Sequence, residues 1–129
     1  MIIHMPMEYS INKEKKTIFI KHSENTNMDD LIKADIIVTS DPAYSQGYNV
    51  FLDLSKARPA INFSFDELKR GIEHMKSVKK ERGGFKWAVF APYEYAHTFA
   101  VIYARLFNDD LIEIKVFKDE AKAREWLGI

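Results

Sequence analysis

The stretch from Tyr48 to Lys80, YNVFLDLSKARPAINFSFDELKRGIEHMKSVKK, constrains this chain more than any other, because a strand, a loop and a capped helix follow one another in it. Val50, Phe51, Leu52 and Leu54 make a nearly continuous apolar run over Tyr48 to Leu54. Such a run suits a central strand covered on both faces in a largely parallel sheet. Ser64 then opens a helix: its hydroxyl can accept from the amide three residues on while Glu67 reaches back, a reciprocal capping box, with Phe63 and Leu68 as the accompanying staple. Phe65, Leu68, Ile72, Met75 and Val78 recur at helical spacing and define the face to be buried. The helix ends before Gly83 and Gly84.

The remaining elements alternate around this unit. Met7 to Ile11 and Thr17 to Ile20 read as two strands joined by the charged turn Asn12 to Lys16, an antiparallel hairpin. Asn27 caps a helix carrying Asp29 and Asp30 in its first turn, where the positive end of the macrodipole favours them. Ile36, Ile37, Val38 and Thr39 favour a strand by β-branching, but the stop at Asp41-Pro42 also allows a helix to about Ser40, and helix is the reading adopted. Phe85 to Phe90 supplies a strand, Pro92 opens a helix to Phe107, Leu111 to Phe117 alternates as a last strand, and Asp119 caps a short helix closed by Gly128. The order predicts an α/β fold: one mixed, mostly parallel five-stranded sheet with about four helices, right-handed crossovers and an opening antiparallel hairpin.

Composition limits what such a domain can do. The 129 residues fit one domain, 1–129, with 1–6 expected as a flexible N-terminal segment. Lysine plus arginine and aspartate plus glutamate both number 19, so the formal charge is 19 − 19 = 0 and no global field draws nucleic acid or anionic membrane. The cluster from Lys76 to Arg82 reads as a solvated helix end, because it lacks interleaved aromatics. With no cysteine there is no disulfide, thiolate metal site or cysteine nucleophile. No apolar run reaches the length of a membrane span, and the first residues are too short for a signal peptide, so a cytoplasmic protein is expected. His4, His22, His74 and His97 are scattered without the i, i+4 spacing of paired ligands, and no glycine-rich phosphate loop or nucleophile elbow is present. No metal or cofactor is expected.

Several segments together resemble a family: Asp41-Pro42-Ala43-Tyr44, Gly47-Tyr48-Asn49-Val50 leading into Asp53-Leu54-Ser55, Phe63-Ser64-Phe65 with Glu67-Leu68, and Val116-Phe117 with Asp119-Glu120-Ala121 and Trp126-Leu127. They look like the SpoIIAA-like or STAS-like proteins, small bacterial proteins related to anti-sigma-factor antagonists and mostly of unassigned function. The resemblance covers nearly the whole chain after Met7. It implies a regulatory or binding module, a ligand that is small and lipid-like if there is one, and a phosphorylatable serine at the helix after the central strand. Ser64 is the residue at that place, in Asn62-Phe63-Ser64-Phe65 where the antagonists carry Asp-Ser-Ser/Thr-Gly.

Two functions follow as expectations. The favoured one is a non-catalytic module that docks a protein partner or a small ligand beyond the carboxyl ends of the parallel strands, where open α/β sheets gather ligands. Asp53, Ser55, Arg58, Ser64, Tyr93 and Tyr95 fall at that edge. Asp53 there more often accepts amides of its own loop than acts as a base, and Ser64 is first a helix cap. The alternative is a small hydrolase- or isomerase-type enzyme using Asp53, Tyr93 and His97 as acid and base. On the last long helix, 11 of the 15 residues from Tyr93 to Phe107 are hydrophobic. Ala96, Phe99, Ala100, Tyr103 and Phe107 form its inward stripe, and Tyr95, Val101, Ile102 and Leu106 take flanking or outward positions. That surplus suggests a homodimer through the 93–107 helix, with Tyr95 and Ile102 as anchors.

Overall fold

In a computed structural model that describes residues 7–59, 64–107 and 109–129, the chain forms five strands and four helices. They are β1 (Met7–Asn12), β2 (Thr17–Thr26), α1 (Met28–Thr39), β3 (Asn49–Pro59), α2 (Phe65–Arg82), β4 (Phe85–Phe90), α3 (Glu94–Phe107), β5 (Ile112–Phe117) and α4 (Glu120–Leu127). The sheet order is β1-β2-β3-β4-β5, antiparallel between β1 and β2 and parallel thereafter. Each crossover steps one strand in the same direction, so right-handed connections place α1, α2 and α3 on one face. The helix layer and the inward residues of the strands, among them Ile18, Ile20, Val50, Leu52, Leu54, Val89 and Ile112, form the main core. On the other face α4 lies against β3, β4 and β5, where Ala123 and Leu127 bury Phe51 and Ala88.

The β-branched run in α1 is helical because burial and hydroxyl bonding override propensity. Met28, Ala34 and Val38 face the core at helical spacing. The hydroxyls of Thr39 and Ser40 donate to the carbonyls of Asp35 and Ile36, at 2.8 and 2.7 Å. Ile36 and Ile37 are left exposed.

Caps and strand ends differ from expectation. The Ser64 hydroxyl accepts from the Glu67 amide at 3.3 Å, a contact typically worth about 1 kcal/mol. The Glu67 carboxylate, however, is engaged by Arg70, and the full reciprocal box forms instead at Asn27 and Asp30. Phe65, assigned to the inward stripe, is 68% exposed because it sits in the first turn, before the helix reaches the sheet. Phe63 and the 1–6 segment lie outside the described residues.

Strands β2 and β3 run well beyond Ile20 and Leu54. Their parallel pairing continues past a bulge between Lys21 and Ser23 as far as Thr26 and Pro59. Backbone hydrogen bonds thereby carry a polar stretch that apolar patterning does not mark.

Candidate functional site

A cavity of about 70 Å³ lies between the sheet and the layer of α1, α2 and α3. Leu52 and Leu54 of β3 form its floor, with His22 of β2 on one side and Trp87 and Val89 of β4 on the other. Helix residues Met28, Leu31, Gly71, Met75, Phe99, Ala100 and Tyr103 close it from above. Gly71 is what lets α2 come this close: a Cβ there would stand 2.5 Å from the Met28 sulfur and 3.0 Å from Tyr103 Cε2.

Five polar side chains line this apolar space among the described residues: His22, Asp35, His74, Trp87 and Tyr103. His22 follows Ile18 and Ile20 at the two-residue period of a strand, so its imidazole is forced onto the core face. Only 1% of the residue is exposed, and its Nδ1 has no partner among the described residues. Burial pushes the imidazole down to about 4, with nearby Asp30 opposing that in part, so His22 is neutral at pH 7. Trp87 packs edge-on against Tyr103 at 5.9 Å, and its buried Nε1 likewise lacks a partner among the described residues.

The Tyr103 hydroxyl donates to the Gly71 carbonyl at 3.0 Å, and burial raises the phenol well above its ordinary range. Asp35 accepts from His74 Nε2 at 2.8 Å with one oxygen and pairs with Arg82 through the other. Arg82 is 4% exposed and lies over the rings of Phe85 and Tyr44 at 4.6 and 5.7 Å. The pair Arg70–Asp29 ties α1 to α2 a second time. These contacts hold the two helices together as the roof.

Chemically, the lining offers apolar contact and hydrogen bonding. Among the described residues it contains no serine, threonine, cysteine or lysine, and its tyrosine is engaged and held neutral. Pockets of this kind, mainly apolar with a few placed polar groups, are what small-molecule sites look like.

The residues singled out from sequence lie elsewhere. Asp53 faces the opposite side of the sheet, where it lines an open groove with Glu8, Ser10, Phe19, Lys21 and Phe51. Its carboxylate accepts from the Ser55 amide at 2.8 Å, the loop-holding contact that residue type favours. Ser64 caps α2 at the surface, and Tyr93 precedes α3 with 66% exposure. Tyr95 and Ile102, at 52% and 42%, lie on the outer side of α3. Tyr93 and His97 line neither cavity, so the structure does not gather them around Asp53. Arg58 belongs to the end of β3, but its side chain lies outside the described residues. Sequence reasoning passed over His22, Asp35, His74 and Trp87. A usable signal existed only for His22, a polar side chain in the apolar phase of a strand.

No family model and no curated protein matches the chain. Among solved structures it is similar to an uncharacterized protein of the DUF3478 family with a SpoIIAA-like fold from Shewanella loihica PV-4. The two share 18% identity over 98% of each chain, with a TM-score of 0.59. The fold is therefore SpoIIAA-like, as the sequence motifs suggested, and the function of that neighbour is itself unassigned.

Proposed function

We propose that this protein is a non-catalytic binding module whose ligand is a small, largely apolar molecule held beneath α1, α2 and α3. The carrying observation is the apolar cavity itself, whose lining includes His22 and Trp87, each with a buried ring nitrogen that has no partner among the described residues. Native cores leave few such groups, and each asks for an explanation. The reading moves the binding place from the strand-end loops to the space between sheet and helices.

A second reading, self-association through α3, draws support from the exposure of Ile102 and Leu106 at 42% and 46%. Native mass spectrometry of the purified protein separates the two. The cavity reading predicts a monomer that carries an added small mass, recovered by solvent extraction. A dimer of bare chains would favour self-association and count against the ligand.

A further inference from the structure

We infer that the cavity takes a neutral, ring-sized ligand that presents one acceptor oxygen, as a ketone or alcohol does, to Trp87 Nε1. The inference rests on the binding reading above and names the chemistry of its ligand.

Charge is decided by the lining. Among the described residues its one carboxylate, Asp35, is already matched by Arg82 and His74, and no lysine or arginine lines the cavity. An anionic ligand would leave water without finding a free counter-charge, and a cation would have to compete with Arg82 for Asp35. Burial keeps the His22 imidazole uncharged at neutral pH, so it adds no cation. A fatty-acid carboxylate is thus a poor match, however apolar its tail.

Polarity is decided by the donors. An indole N–H can only donate, so Trp87 calls for an acceptor. His22 Nδ1 donates or accepts according to its tautomer. A ketone or alcohol oxygen can therefore accept from Trp87. The two residues stand on the strands either side of β3, with Leu52 and Leu54 between them as an apolar floor. Size follows from the cavity of about 70 Å³. A water needs roughly 10–15 Å³ of such space, which leaves room for a single ring and excludes a long chain unless the helices part.

Three probes of similar size test this on the full chain: cyclohexanone, toluene and benzoate at pH 7, followed by ¹H–¹⁵N NMR of the indole groups. Trp126, carried by α4 on the opposite face of the sheet, is the internal control. Cyclohexanone is expected to shift the Trp87 indole resonance saturably and leave Trp126 in place. Toluene should bind more weakly and benzoate not measurably. Trp87→Phe should weaken cyclohexanone about tenfold, equivalent to about 1.4 kcal/mol, and leave toluene unchanged.

Equal binding of toluene and cyclohexanone, insensitive to Trp87→Phe, would overturn the acceptor-oxygen inference while the cavity reading stands. Tightest binding by benzoate would overturn neutrality. If none of the three binds, the cavity reading itself fails. Should Trp87→Phe not fold, the ranking of the probes on the wild-type chain and the Trp87 shift decide alone.

Discussion

Asp35→Ala is expected to lower the stability of the fold by about 3 kcal/mol, because it strands a buried arginine. The Arg82 side chain is 5% exposed and ends on Asp35. Its Nε already lacks a protein partner, and the rings of Phe85 and Tyr44 supply only cation–π attraction. Removing the carboxylate also frees His74, loosening α1 from α2 at a second point. Replacing both partners by apolar residues, Asp35→Leu with Arg82→Met, should restore most of the loss, since neither charge is then buried alone. Urea midpoints of the single and double variants check this. A single variant within about 0.5 kcal/mol of wild type, the usual effect of a surface substitution, would mean that Arg82 finds water in the folded state.

The second large effect is a pH dependence carried by His22. Its folded value lies at about 4 against an ordinary 6.5, which corresponds to about 3 kcal/mol. The sign follows from which state binds the proton. Below pH 6.5 the unfolded chain takes up a proton that the folded chain refuses until about pH 4. Stability should therefore be full above 6.5, fall as the pH drops toward 4, and gain no further loss from this group below that. Asp41 and Asp109, held low by hydrogen bonds from the Ala43 amide and from Lys79 respectively, add their own loss at more acid pH. His22→Leu isolates the histidine, because the carboxylates remain. Denaturant midpoints at pH 7, 5.5 and 4.5 should converge for the variant and spread for wild type. Parallel profiles would show that His22 is protonated in the folded protein.

Much of the fold was legible because local signals agreed with the tertiary answer. The apolar run at Val50 to Leu54 lies in the central strand of five, and the alternation of elements fixed the crossovers. Asn27, Ser64 and Asp119 all cap the helices they precede. What escaped was non-local. The far ends of β2 and β3 are polar and become strand only by pairing with each other across a bulge. Phe65 has helical spacing but projects from the first turn into solvent.

The site was less legible than the fold, for the same reason. Asp35 and His74 are 39 residues apart and meet only because α1 and α2 are neighbours. Trp87 looks like any core aromatic until its indole nitrogen is found unpaired. The outward flank of α3, by contrast, was readable: Tyr95, Ile102 and Leu106 are exposed as their helical phase requires.

The claim that matters most is that the space among His22, Leu52, Trp87 and Tyr103 is open to a guest, and xenon-pressurised crystals test it most directly. Dry apolar cavities of this scale take up xenon. One strong xenon peak is expected over Leu52 and Leu54 beneath Gly71, with the surrounding side chains unmoved. A structure in which Met28, Phe99 or Tyr103 has swung in to fill that volume, with no xenon between sheet and helices, would contradict it.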